Sequence, residues 1–379
     1  MKKLIAVLIL GTLVACNNHE PKSTATNENM SVELMTEVEQ VSVTLSNNER
    51  EEFYSTTLNI NNEVKDVFVE RLNQPKQIED NLYHNFVFYV ADQEDSEAVV
   101  QQDLAIYSAE LENLGQITFD TIEFQGATIL IAIHPIVQDI NEIYAWGLED
   151  GGLKELTFDG EEYVLSASSE SQPYKVMKDH YVQTFKYSNL KEKLGWIFTT
   201  WIFDTEQVSF HQHDVTSYEN NEDGRFIGEY LANKWITFDE YYVQFPYYTF
   251  SQKDMVKLER GYLPEMTYPI GTPIEDVLET YTIFEEDYYN GGHYYETKDG
   301  LYFRDELTDR VAVLSISGKQ LINGHDLESI LGKPTSLGRS DMAPDEIYAY
   351  YTFDDYGLWI IYDEHNNVSY IELHLIKDK

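Results

Sequence analysis

Ile143-Tyr-Ala-Trp146, then Glu149-Asp150-Gly151-Gly152, then Leu153-Lys-Glu-Leu-Thr-Phe158 reads as strand, tight turn, strand. The flanking runs are short and rich in aromatic and branched residues, which suit a half-buried pleated surface. Between them Gly accepts the positive φ that a two-residue hairpin demands. Asp159-Gly160 follows at once with a second turn signal. Working outward, the same grammar repeats. Val64–Leu72, Asn85-Phe-Val-Phe-Tyr-Val90, Ala127-Thr-Ile-Leu-Ile-Ala-Ile-His134, Tyr181–Tyr187, Trp196–Phe203, Gln207–His213 and Tyr241–Phe250 are all strand-like runs separated by turn residues. In Ile117–Phe124, Ile117 and Phe119 fall on one face and Ile122 and Phe124 on the other, which implies a bulge or burial on both sides. These runs predict a mainly β protein whose N-terminal part, 41–255, is an antiparallel meander. It would close as a barrel, a sandwich or an irregular propeller, and no clean repeat in this half selects among the three.

Composition agrees. The chain has 379 residues, with 29 Tyr, 18 Phe and 5 Trp, and 42% hydrophobic residues suffice for real cores. A formal charge of −41 repels nucleic acid and anionic head groups and favours cations or basic partners, while also serving solubility.

At the N-terminus, Met1-Lys2-Lys3 precedes an apolar stretch, Leu4–Ala15. It is shorter than the roughly 20 residues a spanning helix needs, so it reads as a signal-peptide core over 1–15. Leu13-Val14-Ala15-Cys16 closes it, and Cys16 is the sole cysteine, so no disulfide can be its purpose. The four residues resemble a bacterial lipobox. That resemblance implies cleavage between Ala15 and Cys16 and a diacylglycerol on the Cys16 sulfur, two chains being enough for stable anchoring. Residues 16–40, polar and without periodicity, would then be a flexible tether, and the protein would face outward from a membrane.

The C-terminal part, 262–379, changes character. Gly271-Thr-Pro-Ile-Glu-Asp-Val-Leu278 reads as a helix start with Thr272 as cap, Pro273 in the first turn and Glu275 at capping-box spacing. Gly324–Gly332 is its counterpart, capped by Asp326 or Asn323. Each helix leads to a strand pair opened by glycine. Setting Gly300 on Gly357 without gaps matches Leu301 to Leu358 and Val311 to Val368. The expectation is two helix, strand, strand units, an α+β region.

Ile330-Leu-Gly-Lys-Pro334, Tyr350-Tyr-Thr-Phe353, Gly357-Leu-Trp-Ile-Ile361 and Val368–Leu373 resemble the small tandem modules of the β-lactamase-inhibitor-protein-like and outer-membrane-assembly-lipoprotein group. The first unit departs from that pattern, carrying Tyr281-Thr-Ile-Phe284 where Gly-Lys-Pro would stand. The resemblance implies an envelope protein that binds rather than catalyses.

Candidate chemistry is sparse. His211 and His213, two apart on a strand, would project from one face and could share a zinc ion, although no third ligand stands nearby. Glu219-Asn-Asn221-Glu-Asp223-Gly224 alternates oxygen donors before a glycine, as calcium loops do, but Tyr230 occupies the twelfth position. Glu285-Glu-Asp287 and Asp354-Asp355 read as solvated loop charge. No Gly-x-Ser-x-Gly elbow, phosphate loop or His-Glu-x-x-His occurs. Paired tyrosines, Tyr247-Tyr248, Tyr288-Tyr289, Tyr294-Tyr295 and Tyr350-Tyr351, put one ring on each strand face. Tyr294, Tyr350 and Trp359 are thus candidates to stack on sugars or anchor a protein partner. The functional expectation is a membrane-anchored binding or envelope-associated protein with a protein or glycan partner, no catalytic residue and no obligatory cofactor. The alternative is a cell-envelope glycan hydrolase, which would show a cleft with two facing carboxyls, one of raised pKa.

Overall fold

The computed structural model describes residues 42–44, 54–71, 76–78, 81–92, 97–108, 117–124, 126–137, 140–167, 173–177, 181–189, 195–219, 222–243, 248–289, 292–339 and 346–376. Ala15, Cys16, the expected tether and Asn221 lie outside these residues. The described chain is mainly β, its antiparallel sheets curling into a half-barrel.

The first sheet contains β1 (Ser42–Thr44), β2 (Tyr54–Ile60), β3 (Glu63–Arg71), β4 (Lys76–Ile78), β5 (Asn81–Ala91), β6 (Glu97–Ser108), β7 (Thr118–Phe124), β8 (Ala127–Val137), β9 (Ile140–Glu149), β10 (Gly152–Leu156) and β11 (Val164–Ala167). Its main path runs β1-β6-β5-β3-β2-β8-β9-β10. Glu149 pairs with Gly152 across Asp150 (φ 52°) and Gly151 (φ 83°), so both turn residues take the left-handed conformation that continues the strand twist. Asn61 and Asn62 do the same between β2 and β3. In β7 the register is unbroken while Ile117, Phe119, Ile122 and Phe124 are all buried, which selects burial on both sides over a bulge.

The second sheet has the order β12 (Lys175–Val176), β13 (Tyr181–Ser188), β14 (Gly195–Asp204), β15 (Ser209–Glu219). One side gives Val182, Trp201, Phe203 and Phe210 to the core of the first sheet. The other gives Phe185 and Phe198 to a smaller core, sealed by Leu231, Ala232 and Trp235 of helix α1 (Glu222–Thr237). Helix therefore begins inside the stretch read as a calcium loop. Asp223 stands in the first turn of α1.

After α2 (Met255–Leu258) and α3 (Ile274–Thr280) come β16 (Glu285–Tyr289), β17 (Gly292–Thr297), β18 (Gly300–Asp305) and β19 (Arg310–Ser317). Helix α4 (Leu327–Leu331) is followed by β20 (Ser336–Arg339), β21 (Ile347–Phe353), β22 (Tyr356–Tyr362) and β23 (Val368–Leu375). All eight strands form one sheet of order β16-β17-β18-β19-β23-β22-β21-β20. The expected tandem is present, each strand pair being the inner half of a four-stranded meander, and the order reads alike from either edge.

Helix starts differ in detail from expectation. Thr272 donates its hydroxyl to the Pro269 carbonyl (2.8 Å), and Pro273 is the N-cap of α3. Asp326 is the N-cap of α4, whereas Asn323 ties the backbone of Phe250, accepting at 2.9 Å and donating at 2.8 Å.

The gapless alignment also needs a correction. Leu314 and Ile371 are equivalent and buried, and their cross-strand partners are Tyr302 and Ile360. The second hairpin is thus one residue shorter, and Leu301 corresponds to Trp359 rather than to Leu358. Register shifts at Phe303/Arg304 and Ile361/Tyr362 are β-bulges at equivalent positions, so the missing residue lies in the turn that follows them. Val311 and Val368 do correspond, and both are buried. Residues 40–379 make one compact unit, and Tyr248 and Phe250 already belong to the C-terminal core.

Candidate functional site

Two facts of packing create a cleft. Trp235, fully buried, anchors the last turn of α1 against the second sheet, and this carries Lys234 (7% exposed) toward the C-terminal sheet. Phe284 packs in the same core, so the β16–β17 hairpin that follows it is drawn alongside. Glu285 and Glu296 stand directly opposite each other on that hairpin. Like charges so placed repel, and a cation between them reverses the sign. Lys234 Nζ lies 2.7 Å from a Glu285 oxygen and also donates to Glu296. Its ammonium sits 4.4 Å from the Tyr230 ring centre and 5.6 Å from that of Tyr241, a cation–π arrangement.

The cluster separates the two carboxyls electrostatically. Burial holds Glu296 above the usual carboxylate range, Lys234 only partly countering it. Burial acts on Glu285 too, but hydrogen bonds from Lys234 and Tyr230 outweigh it and hold this carboxyl below that range. For Lys234 burial is likewise outweighed, by the hydrogen bonds to both glutamates, so its ammonium form is favoured. Burial, reinforced by the Glu285 charge, pushes the Tyr294 phenol up to about 12.

The cleft has a volume of about 640 Å³ and is walled by Tyr230, Tyr241, Tyr242, Phe284 and Tyr294 with these charges among them. Tyr294, Glu296 and Leu301 also line a second cavity of about 370 Å³ over the middle of the C-terminal sheet. That sheet face is concave. Tyr289 on β16 and Tyr370 on β23 stand four strands apart in the sheet order, yet both line this second cavity. Cross-strand pairing lays one row along the face, Glu296, Leu301, Ser315, Glu372, Trp359 and Tyr350.

The three aromatic candidates all lie on this face. Tyr294 lines both cavities, while Tyr350 and Trp359 pack together 4.7 Å apart in the second unit, with His374 stacked 5.8 Å from Tyr350. The paired-tyrosine pattern holds for Tyr294-Tyr295 and Tyr350-Tyr351, since Tyr295 and Tyr351 are buried in the core beneath. In Tyr288-Tyr289 both rings are exposed. Tyr248 is buried, and Tyr247 lies outside the described residues.

His211 and His213 do not converge. The β14–β15 register passes over His213, Trp201 opposing Gln212 and Thr200 opposing Asp214, so strict alternation fails between the two rings. His211 binds Asp159 (3.1 Å) and Ser209 (3.0 Å), and His213 packs on Tyr181 (4.9 Å). Among the described residues no group of three metal-binding side chains forms.

Lys234, Glu285, Glu296 and Glu372 carry no sequence motif. Glu285, read as solvated loop charge, is a strand residue in an ion pair. The available signal was the hydrophobic partner next to each, Trp235 beside Lys234 and Phe284 beside Glu285. No protein-family model and no curated protein matches the chain.

Proposed function

We propose that this is a lipid-anchored, extracytoplasmic binding protein whose ligand occupies the cleft between α1 and the C-terminal sheet. Ring-walled concavity is the observation that carries the reading. The cleft offers aromatic faces and a few fixed polar groups, the usual composition of a ligand site. Its facing carboxyls, Glu285 and Glu296, are both engaged by one ammonium and so hold shape and charge in place. Anchoring follows from the Leu13–Cys16 lipobox, and the acidic composition favours partners that are basic or neutral over nucleic acid.

Pull-down from solubilised envelopes with the mature chain, with and without calcium, tests the binding role. One reproducible partner, lost when Tyr294→Ala and Tyr230→Ala are combined, is expected. Retention of that partner by the double variant would move the site elsewhere. For the anchor, Cys16→Ser should release the protein from the membrane fraction and remove the diacylglycerol mass.

A second reading, an envelope glycan hydrolase, is favoured by the opposite displacement of the Glu285 and Glu296 carboxyls. Against it, carboxyls that grip the same ammonium leave no room for the glycosidic bond, which sits between groups roughly 5 to 10 Å apart. Turnover of cell-wall fragments that disappears in Glu296→Gln would establish the hydrolase.

A further inference from the structure

Glu372 lies at the centre of the concave face. In the corrected repeat Ser315 and Glu372 are equivalent, and they pair with each other across β19 and β23. The approximate dyad of the tandem therefore runs through this pair, so the second cavity sits on the symmetry centre. Rings surround it: Tyr294 and Phe303, 5.6 Å apart, on one side, and Tyr370 with Tyr289 on another.

Among the described residues no cation meets this carboxylate: the Glu372 side chain makes neither a hydrogen bond nor an ion pair there, and burial is what acts on it, pushing its pKa up. The lysines of the neighbouring cleft are committed, Lys234 to Glu285 and Glu296, and Lys298 to Glu240 at 2.7 Å. Half-burial of a carboxylate is costly unless something positive joins it. The surrounding ring faces carry negative potential and favour the same guest. A hard metal ion wants six or more oxygens, whereas this cavity offers one carboxylate not already tied to lysine. An organic cation needs only that one charge and the rings.

We infer that the cavity over Glu372 is a receptor for an organic ammonium group, with Glu372 as counter-ion and Tyr294, Phe303 and Tyr370 as the aromatic wall. This rests on reading the cleft as a binding site, and it names the chemistry of the guest. Trp359, the cross-strand neighbour of Glu372, is placed to report occupancy.

The full chain is titrated with choline and, in parallel, with the uncharged carbon isostere of choline, following heat and tryptophan fluorescence. Choline should bind at least about tenfold tighter than the isostere, by the cation–π and charge contributions combined. Glu372→Gln should abolish that preference, and Tyr294→Leu should weaken choline about fivefold with the near-ultraviolet dichroism unchanged. Added calcium should not compete. Equal binding of choline and its isostere, or an unchanged preference in Glu372→Gln, overturns the ammonium assignment while leaving a binding cleft. Failure of both probes to bind also overturns it, and the envelope pull-down then decides the broader reading separately.

Discussion

Lys234 illustrates how one side chain can set the character of a site. Replacing it by methionine would leave Glu285 and Glu296 facing each other without a cation. A cost of about 3 kcal/mol is expected, near the lower end for breaking a buried pair because both glutamates keep some solvent. Adding Glu285→Gln and Glu296→Gln to Lys234→Met should restore most of it, and chemical denaturation of the single and triple variants measures the difference. Lys175 behaves in the opposite sense. Its ammonium lies 4.6 Å from the Trp235 ring and donates to the Phe238 and Tyr241 carbonyls. Burial, with Asp239 pulling back, lowers its pKa from 10.5 to about 8. Between these values the unfolded chain holds a proton that the folded one has released, so stability should rise with pH above 8. The rise is read up to about pH 10, where unfolded tyrosines begin to ionise. In Lys175→Met the stability curve should be flat over that window, and an equal rise would assign it to another group.

Glycines show how elements join. At Gly318, directly after β19, an added Cβ would stand 2.0 Å from the Val368 carbonyl oxygen, backbone against backbone. Gly318→Ala should therefore cost about 3 kcal/mol or more, since β23 itself must shift. Gly271 has φ +88° and open space around it, so Gly271→Ala should cost only about 1 kcal/mol of strain. Thermal unfolding of the two variants ranks them, and equal losses would show that β23 moves easily. The hairpin turns were readable beforehand because Asp150-Gly151 announces its backbone conformation within two residues. The register of β18 on β19 was not, because the bulge at Phe303/Arg304 is fixed by what each side chain finds beneath the sheet.

For the molecule as a whole, charge is the dominant composition feature. At −41 the folded chain repels itself, and screening relieves that repulsion. Raising potassium chloride from low to about physiological ionic strength, where the Debye length falls to about 8 Å, should raise the melting temperature. A fall would mean that attractive pairs such as Lys298 with Glu240 outweigh the repulsion.

The amino-acid sequence determined the antiparallel β character, the turn positions and the tandem at the C-terminus. Those properties arise from alternation and backbone sterics acting over a few neighbours. It also marked Tyr294, Tyr350 and Trp359, because adjacent aromatics on a strand must point to opposite faces. Tertiary structure alone decided which of these rings meet, and that Lys234 lies between carboxyls 51 and 62 residues away. It likewise left the Glu372 side chain, among the described residues, without a hydrogen-bond or ion-pair partner at the repeat's dyad. Those outcomes depend on how α1 packs through Trp235 and how far an eight-stranded sheet curls. Such packing sums many weak contacts between distant segments, and no local pattern encodes that sum.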